Sequence, residues 1–169
     1  MMNKKICLLG RPGVGKSSLV ERFISNTFSE EYLSTIGVRI ERKRVTVNKT
    51  DVNLLVWDIH GEGDSLVVTP QFLQGAAAYL LVVDGTRPET TDAIFDFEER
   101  ITQPSPAPTV VAINKTDLHP ETSAIENRLV NPPRFVSEIV KTSAKDGTGV
   151  EEAFSKVAKL VLPTTTGTT

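Results

Sequence analysis

The chain has 169 residues, of which 39% are hydrophobic, so it can bury the core of one domain but is too short for two ordinary ones. Its formal net charge is -2, whereas proteins that bind nucleic acid or anionic membranes through their overall charge are strongly basic. We therefore expect no nucleic-acid partner, and any bound anion must be held by a local site.

The cysteine content and the chain termini predict a cytoplasmic protein. Cys7 is the one cysteine, and its apolar neighbours predict a buried thiol that has no partner for an intrachain disulfide. The sequence contains no apolar stretch of about 18 residues that would predict a membrane span. Residues 164–169 are low in complexity, so we expect a disordered tail after a single domain over 1–163. They contain no cysteine for prenylation, so we expect no direct lipid anchor.

Apolar runs of strand length alternate with helical patterns along the chain. We expect strands at 5–9, 52–57, 78–83, 109–113 and 138–141, and helices at 16–23, 91–101, 123–130 and 150–160. This alternation predicts βαβ units in an α/β fold, with a mainly parallel sheet covered by helices on both faces.

Two further segments have distinct patterns. Residues 39–47 alternate charged and apolar side chains before a turn sequence, which predicts an edge strand pairing with 52–57 in an antiparallel hairpin. The charged run 41–44 within it favours protection of the strand edge over a lipid or nucleic-acid patch. The apolar residues at 66–68, Phe72 and Leu73 indicate either core packing or a partner surface.

A glycine-rich loop at 10–18 directly follows the first predicted strand. Glycines let the backbone turn inwards so that amides converge on phosphate oxygens, and the next helix adds the positive end of its dipole. Lys16 supplies a positive charge to the β- and γ-phosphates, and Ser17 supplies a hydroxyl to Mg²⁺. The predicted phosphate-binding residues are Gly13, Val14, Gly15, Lys16, Ser17 and Ser18. The motif predicts a nucleoside triphosphate, which an ATP-dependent kinase would bind equally well.

Two polar clusters, at 114–117 and 141–145, follow the last two strands. Guanine presents two donors on one edge, N1–H and the exocyclic amine, and the two carboxylate oxygens of Asp117 accept both. Adenine would leave Asp117 unpaired, so this acid predicts selection of guanine. The alternative is that Asn114, Lys115 and Asp117 form a polar turn before a helix.

With both motifs, the chain resembles the small Ras-like GTPases, especially the Ras, Rab and Rho branches, over nearly its whole length. The matching positions, in order and spacing, are 10–17, Thr35, 58–61, 114–117 and 143–145. The resemblance implies a P-loop fold with a mostly parallel six-stranded sheet and one antiparallel edge strand. It also implies a molecular switch that binds GTP or GDP with Mg²⁺ and hydrolyses GTP to GDP.

The resemblance assigns roles at the base site. The implied residues are Asn114, Lys115, Asp117, Ser143, Ala144 and Lys145. Among these, Asn114 braces the loops, Lys115 lies along the base, and the Ala144 amide meets the guanine carbonyl. Phe28 places an aromatic edge against the base, although a core position is its alternative.

The resemblance also implies two switch segments. Thr35 binds Mg²⁺ through its hydroxyl and the γ-phosphate through its amide, so that loss of this phosphate frees the segment. Tyr32 lies over the phosphates, Asp58 holds Mg²⁺ together with Ser17, and the Gly61 amide senses the γ-phosphate. We expect effector, exchange-factor and activating proteins to bind through these segments.

Glu62 departs from the family, which usually has glutamine here. An ionised glutamate can accept a hydrogen bond from the attacking water but cannot donate one to the transition state, and it adds negative charge. If the charged Glu62 stays near the γ-phosphate, hydrolysis is slow or needs help. If Glu62 swings out, or if its stronger basicity towards water outweighs the repulsion, turnover is ordinary. We expect a slow intrinsic rate, with Lys16, Gly61 and Glu62 nearest the reacting group.

Two more departures flank the phosphate site. Pro12 stands where the family often has glycine, and it fixes φ and removes an amide donor. We expect this to change the space available to an arginine that a partner protein inserts beside the phosphates. His60 replaces a small residue, and we interpret it as a switch side chain rather than a metal ligand. Glu62 and Pro12 motivate the alternative function, a GTP-binding interaction module with negligible hydrolysis.

Overall fold

Strands and helices alternate along most of the chain in the computed structural model, which describes residues 1–25, 32–33, 37–60, 70–100 and 107–163. The strands are β1 (Met2–Leu9), β2 (Tyr32–Leu33), β3 (Val38–Val47), β4 (Thr50–Ile59), β5 (Ala78–Asp84), β6 (Thr109–Asn114) and β7 (Val136–Lys141). The helices are α1 (Lys16–Ile24), α2 (Pro70–Leu73), α3 (Asp92–Arg100), α4 (Ser123–Arg128) and α5 (Val150–Val161), and a 3₁₀ turn covers Pro88–Thr91.

The seven strands of the described residues form one sheet in the order β2-β3-β4-β1-β5-β6-β7. β1 pairs in parallel with β4 and β5, and β6 and β7 continue the parallel part of the sheet. β3 is antiparallel to β4. The predicted six-stranded, mostly parallel sheet with an antiparallel strand at one side is therefore confirmed. The two-residue β2, which the sequence did not predict, pairs with β3 on its outer side.

The antiparallel hairpin is closed by a two-residue turn. Asn48 and Lys49 have φ values of 50° and 63° and connect Val47 directly to its partner Thr50. Two consecutive positive φ values are typical of a type I′ turn, whose twist matches that of the paired strands. This turn fixes the register that brings β3 alongside β4.

Apolar clusters cover both faces of the sheet. One lies under α1 and α5, where the rings of Phe23 and Phe154 stack 3.8 Å apart. The other contains Cys7, a buried thiol as expected, and Phe97 of α3. β5 and β6 are buried along their whole length, as parallel strands covered on both faces should be.

The charged run 41–44 divides between the two faces of β3. Glu41 and Lys43 are only 0% and 8% exposed. Lys43 donates to the carbonyl of Phe23 in α1 and lies 3.8 Å over its ring, and Glu41 accepts from Arg39. Arg42 and Arg44 are exposed. Protection of the strand edge by this run stays a prediction, and within the run only the two arginines are exposed for it.

The segment before β5 packs partly on the core. Phe72 and Leu73 form the end of α2 and contact the cluster that contains Cys7, which favours core packing for these two residues. Residues 66–68 lie outside the described part. Among the described residues, no helix combines the length and the apolar character that crossing a bilayer requires.

Candidate functional site

Polar residues gather where the parallel strands end. The loop at 10–15 follows β1, Asp58 and Asp84 lie at the ends of β4 and β5, Asn114 ends β6, and Ser143 follows β7. Carboxyl ends of neighbouring parallel strands meet at one edge of a sheet, and ligands of open α/β sheets bind outside that edge. The fold thus brings together two motifs that are about a hundred residues apart in the sequence, as the Asn114–Val14 contact across 100 residues shows.

The glycine-rich loop lines a cavity of about 290 Å³, which we call the phosphate cavity. Its lining residues are Pro12, Gly13, Val14, Gly15, Lys16, Ser17, Ser18 and His60. Gly15 has a left-handed φ of +96°, and a Cβ at this position would lie 2.4 Å from Nδ2 of Asn114. Both the backbone conformation and the close approach of Asn114 therefore require glycine.

Lys16 is buried at the start of α1, beside the phosphate cavity. Its Nζ lies 4.0 Å from Oδ1 of Asp58. Burial lowers the pKa of Lys16, and the Asp58 carboxylate opposes this shift. Because the ammonium has lost water and gained one distant carboxylate, an anion in the cavity would stabilise its charged form.

Ser17 and Asp58 form the candidate metal pair. Oγ of Ser17 donates to Oδ2 of Asp58 over 2.5 Å, and Asp58 is completely buried. Within the described part of the chain, Oδ1 of Asp58 has no hydrogen-bond partner. A buried carboxylate oxygen without a donor, next to a hydroxyl, offers the oxygen ligands that Mg²⁺ prefers, so these residues fit that ion.

His60 lies at the same end of the phosphate cavity. Its Nε2 is 3.5 Å from Oδ2 of Asp58, and its side chain is half exposed. The His60 backbone amide donates to the carbonyl of Gly37 over 2.8 Å, which fixes it against the start of β3. The sequence did not predict that this side chain lines the cavity, because a lone histidine carries no spacing signal.

A second cavity of about 590 Å³, the base cavity, adjoins the first and shares Gly15 and Ser18 with it. Five of the predicted base-site residues line it, namely Asn114, Lys115, Asp117, Ala144 and Lys145. Ser143 is buried behind them, where its Oγ donates to Oδ1 of Asp117 over 2.8 Å. The two polar clusters of the sequence therefore form one wall, and Glu21 and Arg22 of α1 line the same cavity.

The side chain of Asn114 connects three loops. Its Nδ2 donates to the carbonyl of Val14 over 2.9 Å, and its Oδ1 accepts from Oγ1 of Thr142 and from the amide of Ala144, each over 3.2 Å. The Ala144 amide, which the resemblance assigns to the guanine carbonyl, thus contacts Asn114 in this structure. One buried amide group holds the phosphate loop and the base wall in a fixed relation.

A charged cluster that the sequence did not predict lies at the end of β5. Asp84 is 1% exposed, and its Oδ2 accepts from Nζ of Lys115 over 2.8 Å and from Nε of Arg87 over 3.0 Å. Burial raises the pKa of Asp84, but hydrogen bonds from Lys115, Thr86 and Arg87 outweigh it and hold the pKa at about 2. The available signal was an acid at the end of a buried strand, a position that Asp58 shares.

Five predicted residues cannot be placed in this site. Phe28, Thr35, Gly61 and Glu62 lie outside the described residues, and Tyr32 is described only as part of the backbone of β2. Their roles therefore rest on the sequence.

The geometry defines a class of protein. A glycine-rich loop with a buried lysine joins a central parallel strand to a helix, and a larger cavity with a strand-end carboxylate adjoins it. These are the features of a P-loop nucleotide-binding protein.

Comparison with known proteins identifies the family. A family model described as the Ras family matches residues 5–163. Ras-related protein Rab-22A of Mus musculus is 33% identical over 160 residues, which cover 93% of this chain and 82% of that protein. Rab-4B of Homo sapiens is 37% identical over 164 residues (94% and 76%), and Rab-1 of Theileria annulata is 34% identical over 167 residues (92% and 72%).

The chain therefore belongs to the Ras family. It is a small GTPase that binds guanine nucleotide, hydrolyses GTP to GDP and acts as a nucleotide-dependent switch. Nothing in these comparisons favours the ATP-dependent kinase or the interaction module with negligible hydrolysis.

Proposed function

We propose that this GTPase holds the guanine base in the base cavity with Asp117 and the phosphate chain in the phosphate cavity. The observation that supports this assignment is the adjacency of the two cavities, which share Gly15 and Ser18. A nucleotide has a flat, hydrogen-bonding base and a charged tail, and the two cavities offer a polar wall and a buried lysine in that arrangement. A single domain over residues 1–163 carries both.

Asp117 has the hydrogen-bonding capacity that guanine recognition requires. Ser143 occupies one acceptor site on Oδ1 of Asp117, and each carboxylate oxygen has two. Both oxygens thus still accept from the N1–H and the exocyclic amine of guanine. The hydroxyl of Ser143 fixes the orientation of the carboxylate before the base arrives, which lowers the entropic cost of binding.

Exchange of this carboxylate for an amide tests the assignment. In Asp117→Asn, the new NH₂ group faces the exocyclic amine of guanine, donor against donor, but pairs with the 2-carbonyl of xanthine. We expect GDP affinity to fall by at least about 100-fold and XDP to become the better ligand, as measured by nucleotide competition. Asp92→Asn, which removes the same charge from an exposed position at the start of α3, is the control and keeps the preference of the parent. A preference for GDP over XDP in Asp117→Asn would refute the role of Asp117.

We also propose that Ser17 and Asp58, together with Thr35 as the resemblance implies, hold Mg²⁺. The unpartnered Oδ1 of Asp58 supports this assignment. When bound there, the ion would supply positive charge to the phosphate chain. The chain itself contributes a buried ammonium at Lys16 and the amides of the loop.

We further propose that Glu62 keeps the intrinsic hydrolysis slow, because a carboxylate cannot donate a hydrogen bond to the anionic transition state. Lys16 and the Gly61 amide are then the stabilising groups nearest the reacting phosphate.

Two switch segments, around Thr35 and around Gly61, are the proposed contact surfaces for effector, exchange-factor and activating proteins in the cytoplasm. Support comes from the resemblance and from the buried, unpaired Cys7, which suits a reducing compartment. Comparing the proteins captured from cytosol by the GTP-loaded and GDP-loaded forms tests this. Identical sets from both forms would contradict it.

A further inference from the structure

Arg87, in the loop after β5, reaches across to the phosphate loop. Its Nε donates to Oδ2 of Asp84 over 3.0 Å, and its Nη2 donates to the carbonyl of Pro12 over 3.1 Å. The Arg87 backbone amide also donates to the carbonyl of Asp84 over 3.0 Å, which fixes the start of the side chain. One guanidinium therefore connects the end of β5 to the loop that follows β1.

Lys115 makes the corresponding contact with the next carbonyl of the loop. Its Nζ lies 2.8 Å from Oδ2 of Asp84 and 2.6 Å from the carbonyl of Gly13. Two consecutive carbonyls, those of Pro12 and Gly13, are thus each bound by a cation. Both cations are held by the same buried carboxylate oxygen of Asp84.

The direction of a carbonyl determines the direction of the following amide. In a trans peptide, the C=O and the N–H point to opposite sides, and the described chain has no cis peptide bonds. Because Arg87 holds the Pro12 carbonyl, the N–H of Gly13 points away from Arg87, and Gly13 itself lines the phosphate cavity.

The Gly13 amide is an important donor of this loop, because the residue before it has none. Pro12 has no amide hydrogen, so the loop has one donor fewer than a glycine at that position would give. The Val14 amide makes a long turn bond of 3.4 Å to the carbonyl of Arg11. Gly13 therefore supplies the first donor after Pro12, and its orientation depends on the contact with Arg87.

We propose that Arg87 is a positioning residue for phosphate binding, which turns the Gly13 amide into the phosphate cavity by holding the carbonyl of Pro12. This role rests on the proposed use of the cavity for phosphate. An exposed ion pair contributes little to stability, and Arg87 is 41% exposed. The contacts of Arg87 nevertheless matter for binding, because Asp84 is 1% exposed and the Pro12 carbonyl belongs to the loop that lines the phosphate cavity.

Dissociation of bound nucleotide tests this role. In Arg87→Met, we expect GDP and GTP to dissociate about tenfold faster, because one charge-assisted hydrogen bond no longer orders the loop. Arg128→Met is the matched control: Arg128 is 46% exposed, pairs with Asp92 over 3.1 Å, and touches neither cavity, so it keeps the parental rates. The ratio of GDP to IDP affinity should not change in either variant, because Asp117 is untouched.

A second readout separates positioning from general stability. Hydrogen exchange of the Gly13 amide in the GDP complex should accelerate in Arg87→Met, whereas the amide of Gly15 should keep its protection. Arg87→Lys retains the charge but cannot contact Asp84 and Pro12 together in the geometry of a guanidinium, so its rate should be intermediate. This variant also replaces Arg87→Met if the latter does not fold.

The outcomes are distinguishable. If the parent binds GDP, and the Arg87 variants release it at the parental rate with an unchanged Gly13 amide, the positioning role is wrong. If the parent itself binds no guanine nucleotide, the proposed function fails first.

Discussion

The buried carboxylate of Asp84 holds two cations that belong to different loops, Lys115 and Arg87. Asp84 orients both side chains towards their backbone partners in the phosphate loop, the carbonyls of Gly13 and Pro12. Asp84 is therefore a structural residue on which the order of a binding loop depends.

Asp84→Asn should lower the free energy of unfolding by about 2 kcal/mol at pH 7, because the folded pKa of about 2 lies below the ordinary value of 3.8. A pKa that is lower in the folded state contributes stability above the unfolded pKa and loses it as the pH falls through the folded pKa. The difference between parent and variant should therefore shrink between about pH 4 and pH 2. Urea unfolding at pH 7, 4 and 3 measures it, and a difference independent of pH would contradict the assignment.

Glu62 allows a second test at the residue scale. Glu62→Gln restores a donor and removes a negative charge, so single-turnover GTP hydrolysis should accelerate by about tenfold or more. Glu89→Gln, an exposed residue of the 3₁₀ turn, makes the same chemical change away from both cavities and should keep the parental rate. Equal rates in all three proteins would show that position 62 is not catalytic.

Site residues differ in how well the sequence predicted their positions. Lys16, Asn114 and Asp117 stand in motifs directly after strands, and the structure gathers them at the two cavities. Arg87 could not be found in this way, because it contacts a backbone carbonyl 75 residues away, and a carbonyl leaves no trace in side-chain patterns.

Long elements were predicted from their apolar periodicity, whereas short ones were missed. The strands and longer helices differ from expectation by a few residues at their ends, as in β7, which begins at Val136 rather than 138. β2 has two residues and α2 has four, which is too few for any period to be visible. α3 starts at Asp92 because a 3₁₀ turn at Pro88–Thr91 precedes it.

Packing of α5 against α1 gives a prediction at the element scale. The ring of Phe154 is completely buried and stacks on Phe23 with an angle of 1° between the ring planes. Phe154→Ala should lower the free energy of unfolding by about 3–5 kcal/mol, because it removes this contact and leaves a cavity. Lys159→Ala, on the exposed side of the same helix, should change it by less than about 0.5 kcal/mol. Equal effects in urea unfolding would mean that the two helices are not coupled through these rings.

Ligand binding should stabilise the whole molecule. At a GDP concentration about 1,000 times the Kd, the free energy of unfolding should rise by about 4 kcal/mol, because only the folded chain presents both cavities. The increase should be smaller in EDTA than in Mg²⁺ if Ser17 and Asp58 hold the ion. ADP at the same concentration serves as the control, and an equal increase with ADP would contradict selection by Asp117. Thermal and urea unfolding measure these differences.

Gly15 and Ser18 line both the phosphate cavity and the base cavity, and Asn114 of the base cavity donates to the carbonyl of Val14, directly before Gly15. Displacing the stretch from Gly15 to Ser18 at either side therefore disturbs the hold on base and tail at once. A regulator that promotes nucleotide release thus needs to bind only at this stretch, and it need not compete for the purine site.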